Sequence, residues 1–159
     1  MAHDNYLYPH LIQEDIDIWK LFLAEHKDKY QYFDYDVRVG RGRPLADNEP
    51  ELIQKMAVDL SKRRIDAIGY TDSEIHIIEI TRVAGLKAIG QLHTYPLLYA
   101  LTFKPLRPIR PVLVCGSLET DIQPIIDASR ILCYYCLSDS PPHDLNQPSQ
   151  PTTPTKQSP

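Results

Sequence analysis

Two acidic residues, Asp66 and Glu79, have a spacing that predicts a metal site. They lie in two runs rich in isoleucine, 64–70 and 74–81, which are separated by a turn-like segment at 71–73. A hairpin centred in that turn places Asp66 directly opposite Glu79, with both side chains on one face. Two carboxylates that face each other among isoleucines repel unless a proton or a cation lies between them. Because hard divalent cations prefer oxygen ligands, the pair predicts a site for Mg²⁺ or Mn²⁺.

The rest of the chain predicts how these two runs are positioned. Both faces of the hairpin carry apolar residues, which indicates central strands covered on both sides. Apolar periodicity and turn residues predict the order α-β-α-β-β-α-β-α-β. We therefore expect an α/β fold with a mixed central sheet flanked by helices on both faces. The predicted helices are 14–30, 47–62, 84–103 and 119–130, and the predicted strands are 30–39, 64–70, 74–81, 111–115 and 131–137.

The second predicted helix has its own local signals. Asp47 or Asn48 is the expected N-cap, with Pro50 in the first turn. Its apolar residues are expected to be partly buried; they are Leu52, Ile53, Met56, Val58 and Leu60.

Length and composition indicate one soluble domain with an appendage. The chain has 159 residues, of which 43% are hydrophobic, and a formal charge of −4. Residues 1–139 are expected to form the domain, and 140–159 a proline-rich tail that is flexible or held by a partner. No apolar run is long enough to span a bilayer, and the start of the chain does not resemble a signal peptide. We expect a cytoplasmic protein or one assembled into a virion.

A third motif follows the two acids. The helix after the hairpin carries Gln91-Leu92-His93-Thr94-Tyr95. Together with Ile65-Asp66 and Ile78-Glu79-Ile80-Thr81, this ordered set resembles the PD-(D/E)XK nuclease superfamily, and within it the RecB-like branch with its Gln-x-x-x-Tyr helix. The resemblance covers about 53–114 and implies a restriction-endonuclease-like fold.

The resemblance also implies a metal-dependent phosphodiesterase that acts on DNA. Asp66 and Glu79 would hold Mg²⁺ or Mn²⁺ with the backbone carbonyl of Ile80. Gln91 and Tyr95, one helical turn apart, would reach over the site. An acid from an earlier helix sometimes completes such sites, and the candidates here are Glu14 and, more weakly, Glu51.

One residue departs from the family pattern. The family has Lys two residues after the Glu, where this chain has Thr81. Threonine carries no charge that could orient a water or stabilise the transition state. Lys87, in the following helix, or Lys62, before the hairpin, could replace it. The sequence leaves open whether the site is active or degenerate.

Basic residues and partner segments complete the expectations. The residues expected to contact DNA phosphates are Arg41, Arg43, Lys62, Arg63, Arg64 and Arg82. A simpler interpretation is that Arg64 and Arg82 form ion pairs with Asp66 and Glu79. The alternative function is a catalytically inactive structural or interaction protein, such as a phage virion neck or tail component. It would bind a protein partner through the tail and the tyrosine-rich strand 30–39. No membrane partner is expected, and homo-oligomer formation stays open.

Overall fold

The computed structural model describes residue 8 and residues 10–45 and 48–136. The predicted tail 140–159 and the candidate cap Asp47 lie outside these described residues. The described chain forms five strands and four α-helices in the predicted order. No helix in these ranges is long and apolar enough to cross a bilayer. The elements are α1 (Gln13–His26, followed by a 3₁₀ turn at Lys27–Lys29), β1 (Tyr32–Val39), α2 (Glu51–Ser61), β2 (Arg63–Tyr70), β3 (Ile75–Ala84), α3 (Leu86–Phe103), β4 (Ile109–Leu118), α4 (Ile122–Ala128) and β5 (Leu132–Tyr135).

The strands form one mixed sheet in the order β1-β2-β3-β4-β5. The pairs β1–β2 and β2–β3 are antiparallel, and the pairs β3–β4 and β4–β5 are parallel. In the β2–β3 hairpin, Ala67 pairs with Ile78 and Tyr70 with Ile75. This is the register that the sequence predicts, because alternation fixes it wherever both faces are buried.

Helices cover both faces of the sheet, so the predicted fold class is confirmed. On one face, α1 buries Trp19 and Phe22 against the sheet, and their rings stack with centroids 5.0 Å apart. On the other face, α3 contributes Leu92 and α4 contributes Ile126. The two apolar layers leave the central strands fully covered, as their isoleucine content requires.

Helix α2 differs from its prediction. Leu52, Ile53, Met56 and Leu60 are exposed, and only Val58 of the five apolar residues is partly buried. The N-cap residue is Pro50, not Asn48, and no side chain caps the helix. The apolar periodicity is real, but no other described element covers that face of the helix.

Candidate functional site

The acid pair lies where the hairpin ladder stops. Backbone pairing between β2 and β3 ends at Ala67 and Ile78, so Asp66 and Glu79 are the next residues in register. Their carboxyl groups lie close enough for each to affect the pKa of the other. Asp66 Oδ2 also accepts a hydrogen bond of 3.0 Å from the Ile80 backbone N–H. The Asp66 carboxylate therefore accepts the hydrogen bond that a backbone carbonyl of β2 would otherwise accept from Ile80.

Burial dominates the electrostatics of the pair. The Glu79 side chain is almost fully enclosed, while Asp66 keeps some exposure. Burial raises the pKa of Asp66, and the Ile80 N–H partly opposes this by favouring the charged form. Burial and then the neighbouring Asp66 charge raise the pKa of Glu79 well above its usual range. At neutral pH the pair therefore shares a proton unless a cation takes its place.

A cleft of about 700 Å³ opens beside the pair. Lys87, at the start of α3, lines this cleft, and its positive charge lowers the pKa of both acids. Thr81 also lines it, and its Oγ1 donates a 3.3 Å hydrogen bond to the Val83 carbonyl. Of the two candidate lysines, only Lys87 lies beside the acids. Lys62 instead forms an ion pair of 2.7 Å with Asp59 on α2.

Gln91 and Tyr95 lie on α3 along one side of the site. Gln91 Nε2 donates a 3.2 Å hydrogen bond to the Tyr95 hydroxyl. The Gln91 Oε1 atom is buried with no hydrogen-bond partner among the described residues. Burial raises the pKa of Tyr95, and the charges of Glu79 and Asp66 raise it further. The two α3 residues and the two acids therefore share one electrostatic environment.

The first helix contributes an acid that the sequence analysis missed. Asp15 lines the cleft and accepts a 2.9 Å hydrogen bond from the Arg82 backbone N–H. Its charge raises the pKa of both members of the pair, so it lies within electrostatic reach of them. Glu14, one of the two acids that the sequence offers as candidates, also lines the cleft and forms an ion pair with Arg82 Nε at 2.8 Å.

A helical spacing rule could have identified Asp15. It precedes buried Ile18 and Trp19 by three and four positions, which places it on the face of α1 that packs on the sheet. Glu51, the weaker candidate, lies on exposed α2 and pairs with Lys55 at 2.7 Å.

A second polar cluster borders Asp66. A cavity of about 20 Å³ is lined by His10, Asp36 and Arg64 as well as by Asp66. His10 Nε2 lies 2.9 Å from Asp36 Oδ2, and Arg64 Nε lies 3.4 Å from Asp36 Oδ1. Asp36 has a positive φ of 54° within β1. Arg64 therefore neutralises Asp36, and the sequence-based reading of Arg64 as counter-ion of the acid pair is not what the structure shows.

The remaining predicted DNA contacts lie on several surfaces. Arg82 borders the cleft but is paired with Glu14. Arg63 is exposed at the start of β2, and Arg41 and Arg43 are exposed in the loop before α2. Of the six predicted basic residues, Arg64 and Arg82 line the two cavities that border the acids, and the other four line neither.

The acids fit a hard divalent cation in donor chemistry. Glu79 Oε2 is buried with no hydrogen-bond partner in the described chain, which leaves an oxygen that a cation could satisfy. The N–H and carbonyl of one residue in an antiparallel strand face the same neighbouring strand, so the Ile80 carbonyl is expected on the side of Asp66. No three Asp, Glu, His or Cys side chains within the described ranges are placed to hold one ion. An ion here would thus take two carboxylates from the protein, with carbonyl oxygen and water as further ligands.

Comparisons with known proteins give likeness of fold only. No protein-family model and no curated protein sequence matches this chain. A crystal structure of a protein of unknown function is 8% identical with a TM-score of 0.47, covering 76% of this chain and 57% of the other. A repair endonuclease from Pyrococcus abyssi is 15% identical with a TM-score of 0.46, covering 80% and 48%. The structure of an EndoMS–dsDNA2 complex is 14% identical with a TM-score of 0.44, covering 80% and 47%. The chain spans about half the length of these proteins.

Proposed function

We propose that this protein is a divalent-metal-dependent phosphodiesterase that cleaves DNA. The observation that carries the proposal is the pair of carboxyl groups on Asp66 and Glu79, which lie next to each other in register and line one large cleft. Buried like charges destabilise a fold unless a proton or a cation lies between them, and such pairs are frequent at functional sites. The resemblance of the motifs to the RecB-like branch of PD-(D/E)XK nucleases gives the reaction class.

Some residues of the chain would hold the metal ion, and others would orient the DNA or the attacking water. Asp66, fixed by the Ile80 N–H, and Glu79 would hold Mg²⁺ or Mn²⁺ together with the Ile80 carbonyl. When bound, such an ion supplies a water of lowered pKa and offsets negative charge on the phosphate. Metal binding would release the proton shared by the pair to solvent, because the unpartnered Glu79 Oε2 would then face a cation.

Lys87 would supply the positive charge that the family has at the position of Thr81. It approaches from the first turn of α3, while the family lysine would come from the position of Thr81 on β3. Its charge already acts on Asp66 and Glu79. From there it would stabilise charge that develops on the phosphate. Gln91, with its amide held by Tyr95, would orient the DNA strand or the water from the side of the helix.

A metal titration combined with a cleavage assay tests the proposal. We expect Mn²⁺ to bind the native protein in calorimetry and Glu79→Ala to abolish that binding. With Mn²⁺ present, linear or nicked DNA should be cleaved by the native protein and not by Asp66→Ala. Asp28→Asn, which removes an exposed acid on the 3₁₀ turn, is the control and should behave as the native protein. Cleavage that persists in Asp66→Ala would reject the assignment.

The same assays identify the alternative, an inactive structural or interaction protein on this fold. Thr81 is the feature that favours it, since one missing charged group commonly lowers a rate by about a hundredfold or more. If Mn²⁺ binds but no DNA is cleaved, the site is degenerate. If Mn²⁺ does not bind either, the acid pair has a structural role and the enzyme proposal fails.

A further inference from the structure

Helix α2 carries an apolar stripe that stays in solvent throughout the described part of the chain. The stripe is Leu52, Ile53, Met56 and Leu60, whose exposed fractions are 68%, 41%, 52% and 71%. The spacing of four residues between Leu52, Met56 and Leu60 places them in one row along the helix. Contiguous apolar surface of this kind marks an interaction site in soluble proteins.

The other side of α2 is already attached to the domain. Ser61 Oγ donates a 3.2 Å hydrogen bond to the Arg43 carbonyl, and Gln54 Oε1 accepts a 2.9 Å hydrogen bond from the Leu45 N–H. Val58 lies against Gly42 of the same loop. These contacts hold α2 by the side opposite the stripe, so the stripe faces away from the loop.

The charges at the two ends of α2 differ in sign. Glu51 and Lys62 are paired with Lys55 and Asp59, so the end charges that remain for a partner are Glu49 before the helix and Arg63 after it. Two parallel copies of this helix would bring like charges together at both ends. Two antiparallel copies bring acid next to base at both ends, which is the complementary arrangement.

We propose that the stripe is the contact face of a homodimer in which α2 packs antiparallel against α2 of a second copy. A two-fold axis near Met56 would place Leu52 of each copy opposite Leu60 of the other, which satisfies the self-complementarity that such an interface needs. One short helix from each copy is a small interface, so the dimer is weak and forms at high protein concentration. The inference does not depend on the proposed nuclease activity.

Charge along the stripe favours a second copy over a charged surface as its occupant. The flanking charges are paired within the helix, with Lys55 on Glu51 and Lys62 on Asp59, each at 2.7 Å. An anionic lipid surface or DNA would need an excess of basic residues along this face. The flanks of α2 carry no such excess.

Sedimentation velocity on the full chain tests the proposal directly. Over a roughly hundredfold range of concentration, we expect the native protein to shift from monomer toward dimer. Met56→Glu places two carboxylates at the two-fold axis and should keep the protein monomeric over the whole range. Leu101→Glu, at a position on α3 that is 65% exposed, is the matched control and should dimerise as the native protein does. A native protein that stays monomeric, or a dimer that survives Met56→Glu, would overturn the proposal.

A mixing experiment tests the antiparallel direction. Leu52→Glu and Leu60→Lys should each weaken self-association when studied alone. In an antiparallel pair, the two substituted chains bring Glu opposite Lys at one end and leave Leu opposite Leu at the other. The mixture should therefore form a heterodimer at least tenfold more readily than either variant alone. A mixture that associates no better than its components would refute the antiparallel geometry. Because the stripe is exposed in one copy, circular dichroism should show that each variant folds.

Discussion

Asp66 and Ile80 are joined by a 3.0 Å hydrogen bond in which the Ile80 backbone N–H donates to the Asp66 carboxylate. The bond lies just beyond the last ladder pair of the hairpin, so it fixes the carboxylate where β2 and β3 cease to pair. It also favours the charged form of Asp66, against the larger effect of burial. The position of Asp66 is thus set by the backbone, while burial is the main cause that raises its pKa.

This arrangement makes stability fall as pH rises in the absence of divalent metal. Both acids have a pKa above that of an unfolded chain, so the folded state binds more protons between the ordinary and the raised values. The contribution of this pair to the free energy of unfolding is fully present below about pH 4 and is lost progressively as the pH rises. Asp66→Asn removes the like charge and keeps an oxygen acceptor for the Ile80 N–H. From pH 5 to pH 8, the free energy of unfolding of Asp66→Asn should therefore rise by on the order of 1 kcal/mol relative to that of the native protein.

Urea unfolding in EDTA at the two pH values measures that gain. Asp28→Asn is the control, because Asp28 is exposed on the 3₁₀ turn and its loss should leave the pH dependence unchanged. If Asp66→Asn and the native protein show the same change between pH 5 and pH 8, the acids are not coupled in the way described.

Moving the positive charge between positions 87 and 81 tests whether Lys87 replaces the family lysine. Lys87→Ala should lower the rate of DNA cleavage by about a hundredfold, since it removes the cation that acts on the acid pair. Thr81→Lys, added to Lys87→Ala, should recover most of that loss because both positions line the same cleft. In the native background Thr81→Lys should have a smaller effect. The measurement is the single-turnover rate with Mn²⁺ for all four proteins.

Lys62→Ala is the matched control for the lysine series. Its ion pair with Asp59 lies on α2, so we expect an unchanged cleavage rate. Equal losses in Lys87→Ala and Lys62→Ala would indicate general electrostatic attraction of DNA instead of a specific role. Additive effects of Thr81→Lys and Lys87→Ala would contradict the idea that one charge replaces the other.

The hydrogen bond between Gln91 and Tyr95 should contribute to stability as well as to the site. Tyr95→Phe removes the hydroxyl that accepts from Gln91 Nε2 and leaves a second polar atom of that amide without a partner. We expect a loss of about 1 to 3 kcal/mol in the free energy of unfolding. Tyr32→Phe, in an exposed ring that stacks on Tyr70, should change little. A Tyr95→Phe variant as stable as the native protein would show that water satisfies the Gln91 amide.

The hairpin could be predicted from sequence because its register is a local property. Alternating apolar residues around a short turn admit one pairing, and that pairing places Asp66 opposite Glu79. Asp15 was not predicted, because its place beside the acids depends on which face of α1 carries Trp19 and packs on the sheet. The role of Arg64 could not be derived, since it depends on Asp36 from β1 and on the positive φ of that residue.

Helix α2 shows a different limit of sequence reasoning. Apolar periodicity predicts that Leu52, Met56 and Leu60 share one face, and they do. It does not say what covers that face, because burial depends on elements far away in the chain or on another molecule. The sequence therefore predicted partial burial, while the structure leaves these side chains exposed.

Two glycines with opposite surroundings provide the last prediction. Gly42 has a φ of +71°, and a Cβ there would lie 2.1 Å from the backbone carbonyl oxygen of Val58, which cannot move without shifting α2. Gly42→Ala should lower the free energy of unfolding by about 2 kcal/mol or more. Gly90 lies within α3, where an added Cβ meets nothing within 4 Å, so Gly90→Ala should raise stability by about 0.5 to 1 kcal/mol. Urea unfolding of the two variants under one condition compares them, and a neutral Gly42→Ala would mean that the loop and α2 are not packed together as described.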